Sequence, residues 1–180
     1  MTERKIQADV AAQLGNFVSP GQGDVGGKPL NLALKNGFEI WYIDINDLRD
    51  LTKKEGEIIK SSGKWHFQLS DDGKPTHYIR TSLDKRSKKW YITTLFESGL
   101  AASLQDGLNW IRGNLKYQGD VKLLVVSAFS LTSLWFDFDG SKKIVVVDKL
   151  MNSKFEKQRL YTFEEFRAIV LKEKPIVGIK

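Results

Sequence analysis

The residues best suited to chemistry, by type and spacing, form a basic run beside aromatic side chains. Residues 84–89 are Asp-Lys-Arg-Ser-Lys-Lys, and Trp90 and Tyr91 follow directly. Single-stranded nucleic acid is bound by such side chains, because Lys and Arg neutralise phosphates while aromatic rings stack on bases. Alternation along a strand places Trp90 and Tyr91 on opposite faces, so one ring is expected in the core. The alternative is a solvated loop without a ligand. The predicted anion- and nucleic-acid-binding residues are Lys85, Arg86, Lys88, Lys89 and Tyr91.

The two histidines of the chain, His66 and His77, are candidate metal ligands on adjacent strands of a predicted hairpin. A three-residue turn at residues 71–73 pairs Phe67 with His77 and separates the histidines onto opposite faces. A two-residue turn puts both on one face. We prefer the first register because it collects the apolar residues on one face. No Asp or Glu completes a ligand set and Cys is absent, so we expect neither a metal nor another cofactor.

Residues 21–26, Gly-Gln-Gly-Asp-Val-Gly, match the letters of a dinucleotide-binding motif. That motif needs a strand before it and a helix after it. Here a predicted helix precedes it, and Pro29 with alternating leucines follows, which favours a flexible Gly-rich loop over residues 19–29. No nucleophile elbow, metalloprotease helix or kinase loop is present. The chain therefore leaves enzymatic activity open but favours a non-catalytic protein.

Acidic residues near the end of a predicted central strand have a structural explanation. Asp137 and Asp139 alternate in phase, and the turn at Asp139-Gly140 sets Lys142 and Lys143 opposite them. Cross-strand ion pairing accounts for this arrangement without catalysis.

Three tryptophans do not share the spacing of the leucines and valines in their own predicted helix or strand. They cover a second core layer, or they mark an interface or a pocket. The candidate interface residues are Trp41, Trp110 and Trp135.

Length and composition predict one domain over residues 1–180 with an ordinary core. The formal net charge is +6, which favours anionic partners only modestly. The N-terminus has no apolar block of signal-peptide length, and no stretch is long enough to cross a membrane. We therefore expect a basic, cytoplasmic protein without membrane contact.

The elements that position these residues follow from periodicity and turn signals. Residues 3–15 have helical spacing, and the segment 1–18 is either part of the domain or an arm. Asn36-Gly37 predicts a hairpin between strands 30–35 and 38–45. Residues 46–63 fit either a helix or a short helix followed by a strand. A second hairpin covers 64–83, and residues 90–97 form a further strand.

The second half of the chain predicts two more helices and the central strands. Residues 98–112 carry a leucine stripe at helical spacing. Strands follow at 121–139 and 143–148. Thr162 and Glu165 form a capping box at the start of a helix over 162–172.

This order predicts an α+β fold: a mostly antiparallel sheet of hairpins, with about three helices packed chiefly on one face. The favoured function is a non-catalytic protein-interaction or structural module, including a homodimer. The first alternative is a nucleic-acid-binding module that uses the basic run. The second is a small-ligand binder or an enzyme with a pocket between the helix at 98–112 and the sheet.

Overall fold

The computed structural model describes residues 3–17, 32–71, 73–97, 99–149 and 153–173. The helices are α1 Glu3–Phe17, α2 Ile45–Arg49, α3 Glu55–Ile58, α4 Gly99–Asn114 and α5 Phe163–Val170. The strands are β1 Leu32–Ile43, β2 Ile59–Asp71, β3 Lys74–Leu83, β4 Trp90–Glu97, β5 Lys122–Val126, β6 Leu131–Phe138, β7 Ser141–Asp148 and β8 Leu160–Tyr161. None of the described helices is long and apolar enough to cross a membrane.

The strands follow the order β4-β3-β2-β1-β5-β6-β7-β8 in one sheet. β1 and β5 are parallel. The pairs β2–β3, β3–β4, β5–β6, β6–β7 and β7–β8 are antiparallel. The prediction of an α+β fold with a mostly antiparallel sheet is therefore confirmed.

The chain divides into two compact units. The first comprises Met1–Phe38 and Gly63–Ala102, and the second comprises Glu39–Ser62 and Ser103–Lys180. A single domain over residues 1–180 stays a prediction. The Gly-rich loop 19–29, with its dinucleotide-like motif, lies outside the described residues.

In the first unit, α1 buries one apolar stripe against the sheet. Ile6, Val10 and Leu14 repeat every four residues, so they share one helix face. They pack on Phe67, Leu69, Ile79, Trp90 and Ile92. The opposite sheet face carries the buried Gln68, whose side chain bonds Asn36 and donates to the carbonyl of Ala101 in the first turn of α4 at 2.6 Å. Helical residues therefore contact both faces of this unit's strands.

The second unit also has helices on both faces of its strands. One face packs with α2, α3 and α5; its buried residues include Leu48, Ile58, Leu124, Val126, Ile144, Val146 and Phe166. On the other face α4 comes so close that a Cβ at Gly107 would lie 2.4 Å from Val147. The expected packing chiefly on one face is wrong, because β5 to β7 carry apolar side chains on both faces and each face must be covered. About three helices were expected, and the described residues form five.

The guanidinium of Arg167 on α5 fixes the segment between α2 and α3. It donates to the carbonyls of Leu48, Asp50 and Lys53 at 2.9, 2.6 and 3.2 Å. Its three N–H donors lie in one planar fork, so one side chain holds three carbonyls of the segment. At the start of the same helix, the predicted capping box of Thr162 and Glu165 is confirmed.

The expected hairpin at Asn36-Gly37 is wrong, because both residues lie inside the continuous strand β1. Gly37 is not among the described residues with positive φ. It is needed for space instead, since a Cβ there would lie 2.5 Å from the ring of Phe67. Glycine at a strand interior can mark such a close approach.

The β2–β3 hairpin differs in register from the prediction. Asp71 pairs with Lys74, which leaves two residues between the paired positions, and Leu69 rather than Phe67 pairs with His77. A register shift between Leu69 and Ser70 restores the alternation. His66 pairs with Arg80, so the two histidines still lie on opposite faces, as predicted.

The stretch 121–139, an apolar run to Phe129 followed by an alternating run to Asp139, forms two antiparallel strands. β5 ends at a 3₁₀ turn, Ser127–Phe129, and Ser130 then adopts a left-handed conformation with φ 44° before β6 begins. The apolar run does not show that its last residues form a turn, because Phe129 in the turn is as buried as the strand residues. The turn at Asp139-Gly140 is observed, with φ of 51° and 70°.

Replacing Gly37 by Ala tests the close approach of β1 to Phe67. We expect the free energy of unfolding to fall by about 1–3 kcal/mol, because Phe67 is fully buried and either its ring or the strand must shift to admit the methyl group. Denaturant unfolding monitored by circular dichroism measures this. The control is Gly56→Ala in α3, where an added Cβ meets nothing within 4 Å and stability should be kept or slightly raised. Equal stability of Gly37→Ala and the wild type would contradict the expectation.

His66 should make the protein sensitive to acid. It is 0% exposed, it stacks on Tyr78 at 4.4 Å, and neither ring nitrogen has a hydrogen-bond partner among the described residues. Burial, assisted by the charge of Arg80, lowers the pKa of His66 from 6.5 to about 3. The unfolded state therefore binds a proton first as the pH falls. As the pH falls from roughly 6.5 to 3, this residue should therefore lower the free energy of unfolding by about 1.4 kcal/mol per pH unit.

Unfolding curves recorded across this pH range check the expectation. His66→Phe should remove this contribution to the slope and raise stability at neutral pH, since no unpaired nitrogen is then buried. His77→Phe is the matched control and should keep the His66 contribution. A wild-type slope that survives unchanged in His66→Phe would show that His66 is not its source.

Candidate nucleic-acid interface

The predicted basic site adjoins β4, an edge strand of the sheet. Side chains of α1 bond the backbone of this strand. Asp9 accepts from the Trp90 N–H at 3.1 Å, and Gln13 accepts from the Ile92 N–H at 3.3 Å while donating to the Trp90 carbonyl at 2.7 Å. Three backbone groups that could otherwise pair with another strand are thereby satisfied.

Sequence reasoning missed Asp9 and Gln13 as partners of β4. They lie 77 to 81 residues away from Trp90 and Ile92 in the chain. Their position in the sequence could have indicated this role. Asp9 and Gln13 are four residues apart, and each directly precedes a residue of the apolar stripe, Val10 or Leu14. Polar residues at that place on a helix lie at the margin of the packed face.

The connection between β3 and β4 is an ordered turn built on Asp84. Its backbone N–H donates to the carbonyl of Lys89, and its carbonyl accepts from Lys88, both at 2.9 Å. The carboxylate accepts from the Ser87 hydroxyl at 2.6 Å and from the Arg86 N–H at 2.9 Å. These bonds, the Ser87 hydroxyl first, lower the pKa of the Asp84 carboxyl. The turn is therefore held from both ends and from its centre.

The four cations of the turn are exposed. Lys85, Arg86, Lys88 and Lys89 form no ion pair with any residue that the structure describes. Lys88 has a left-handed backbone with φ 57°, which reverses the chain between the two strands. The charges of this turn are thus available to an anion.

Trp90 and Tyr91 point to opposite faces, as the alternation predicts. Trp90 is 5% exposed and belongs to the core beneath α1, whereas Tyr91 is 45% exposed. A partly exposed ring next to free cations can stack on a planar group. Of the two rings, Tyr91 is the one that a ligand can reach.

A shallow depression of about 680 Å³ brings part of the predicted site together. Of the predicted residues it includes Lys85, Lys89 and Tyr91, while Arg86 and Lys88 lie outside it. Sequence reasoning did not identify its other lining residues, which are Gln13, Leu83, Asp84, Ser87 and Trp90.

The candidate interface tryptophans lie in the second unit. Trp41 and Trp135 form an edge-to-face pair with ring centroids 5.0 Å apart, and Trp135 is only 5% exposed. Trp110 is partly exposed on α4. The structure thus pairs two of the three, and both contact the core of this unit.

The remaining candidate residues have structural partners or lie apart. Asp137 pairs with Lys142 across the β6–β7 hairpin at 2.8 Å, as predicted. His66 and His77 occupy opposite faces, and the described part of the chain contains no group of three or more His, Asp or Glu that could hold a metal.

Comparison with protein-family models, with curated proteins and with solved structures found no match for this chain.

The bonds from α1 to β4 can be tested by the double substitution Asp9→Ala with Gln13→Ala. We expect a loss of about 2–3 kcal/mol in the free energy of unfolding, at about 1 kcal/mol per hydrogen bond, because three backbone groups lose their partners. We also expect concentration-dependent association through the uncovered edge, measured by light scattering. Gln7→Ala is the control, since its amide donates to Glu3 within α1. A stable, monodisperse double variant would contradict the proposed role of these side chains.

Proposed function

We propose that the first unit binds single-stranded nucleic acid at the turn between β3 and β4. The observation that supports this is the coincidence of the exposed ring of Tyr91 with four exposed cations that form no ion pair within the described part of the chain. Phosphates and bases are the two groups that such a pair of surfaces recognises. A duplex hides its bases in the stack, so an exposed tyrosine favours an unpaired strand.

The depression suggests how the two parts cooperate. Lys85 and Lys89 line it together with Tyr91, so a phosphate held by the lysines places its base beside the ring. Arg86 and Lys88, outside the depression, are available to the next phosphates along the strand. The hydrogen bonds of Asp84 order the turn before the ligand arrives, which reduces the entropy lost on binding.

Neutralising the two lysines of the depression tests the proposal. Lys85→Gln with Lys89→Gln should weaken the binding of a fluorescent single-stranded oligonucleotide by about tenfold at low salt, because two phosphates lose their cations. The slope of log affinity against log salt should become shallower by about 1.4, at roughly 0.7 per phosphate. Fluorescence anisotropy measures both quantities.

The matched control is Lys154→Gln with Lys172→Gln, two exposed lysines of the second unit. It removes the same charge and should change neither the affinity nor the slope. If both double variants weaken binding equally, the effect comes from net charge and not from the turn. If the Lys85/Lys89 variant binds as the wild type does, the proposal is wrong.

Protein interaction through Trp41, Trp110 and Trp135 stays a separate prediction. It comes second because the Trp41 and Trp135 rings already pack on each other and on the core of the unit, whereas the cations of the basic turn are exposed. Light scattering that shows a strict monomer, together with a pull-down that recovers no partner, would count against it.

A further inference from the structure

The tryptophan pair of the second unit has an ammonium group seated in its corner. The rings of Trp41 and Trp135 meet at 61°, and Lys122 Nζ lies 4.6 Å from the first centroid and 5.3 Å from the second. Both distances are within the roughly 6 Å over which a ring attracts a cation. Two inclined aromatic walls around one positive charge form part of the cage by which proteins recognise quaternary ammonium groups.

The strand register builds this corner. β5 lies between β1 and β6 in the sheet, with Trp41 opposite Leu124 and Trp135 opposite Lys122. Lys122 and Leu124 are two residues apart on β5 and therefore share a face. Lys122 therefore lies on the strand between the two strands that carry the rings, and on the same face as Leu124.

Apart from its two ring contacts, Lys122 is held among the described residues only by a weak ion pair. Its nearest carboxylate, Glu39, is 4.0 Å away, and the two side chains are 36% and 27% exposed. An exposed ion pair of this kind contributes about 0–1 kcal/mol. Lys142, which lies 5.0 Å from the Trp135 centroid, is bonded to Asp137 at 2.8 Å. Of the two lysines, Lys122 therefore has the weaker attachment outside the corner.

A carboxylate adjoins the ring of Trp135. The Glu55 side chain interacts with that of Trp135 and, through its charge, with Lys142. A quaternary ammonium group has neither a hydrogen-bond donor nor an acceptor, so its affinity for the corner comes from the two rings and from the negative charge of Glu55.

We propose that the Trp41–Trp135 corner is a binding site for a quaternary ammonium group and that Lys122 is a built-in competitor for it. The ligand takes the place of the Lys122 ammonium against the two rings, while Lys122 moves into solvent. A methylated nitrogen suits the corner better than a lysine ammonium, because it has no N–H groups to leave unbonded when the rings remove its water. This site is independent of the proposed nucleic-acid interface.

The experiment opens the corner with Lys122→Met, which keeps an unbranched apolar side chain and removes the charge. Choline is titrated into the whole 180-residue chain, and the indole N–H signals of Trp41 and Trp135 are followed by NMR. We expect saturable shifts, with choline binding about 3- to 30-fold tighter than to the wild type, which corresponds to the free energy of a cation–π contact. The neutral isostere 3,3-dimethyl-1-butanol should produce no saturable shift, since it lacks the charge.

Control variants separate the corner from general effects. Lys143→Met removes a charge from the neighbouring strand and should leave choline binding at the wild-type level, whereas Trp41→Leu in the Lys122→Met background should abolish it. Lys122→Gln replaces Lys122→Met if the latter does not fold.

A folded Lys122 variant without choline-dependent shifts, or equal shifts with the neutral isostere, would overturn the proposal. A trimethyllysine peptide that binds tighter than choline identifies the source as a protein side chain, and weaker binding identifies it as a small molecule.

Discussion

An edge strand leaves a row of backbone N–H and C=O groups without strand partners, and either water or a side chain must bond them. In this protein Asp9 and Gln13 of α1 bond such groups on β4. The apolar stripe of the same helix packs on Trp90 and Ile92 of that strand. This double attachment determines which way β4 presents its alternate residues. Trp90 is drawn beneath the helix, Tyr91 is turned out to solvent, and Gln13 becomes part of the wall of the depression.

The features that could be predicted from the sequence are those set by local chemistry. The capping box at Thr162, the turn at Asp139-Gly140 and the alternation of Trp90 with Tyr91 each depend on a few neighbouring residues, and each is observed. The hairpin predicted at Asn36-Gly37 was wrong because a residue far along the chain determines the structure there. Its glycine is required by Phe67, which lies thirty residues further along the chain, and the same two letters are typical of a tight turn.

The candidate site shows the same division. The cations and the exposed tyrosine were identified from their types and order, but the residues that complete the depression come from α1 and from β3. The placement of helices on both sheet faces could not be predicted either, because an apolar run does not show which helix covers each face of its strand. The register of the β2–β3 hairpin depends on a shift between Leu69 and Ser70, and the residues of the turn give no sign of that shift.

The positive charges of the chain differ in what neutralises them. Asp47 bonds both Lys53 and Lys60, Asp137 bonds Lys142, and the rings of the tryptophan pair attract Lys122. The turn at 84–89 has one carboxylate, and its hydrogen bonds go to Ser87 and to the backbone. The modest net charge of +6 therefore understates the local field at this turn. The arrangement of the charges, more than their sum, supports an anionic ligand.

The clamp formed by Arg167 joins residues that are 114 to 119 positions apart. During synthesis, the segment between α2 and α3 emerges long before the helix that bonds it. At about 5–20 residues per second, the delay is roughly 6–24 s. Throughout that interval the carbonyls of Leu48, Asp50 and Lys53 lack the hydrogen bonds that Arg167 later donates to them. The second unit can therefore close around this segment only late in translation, and a ribosome that stalls before α5 would display it open.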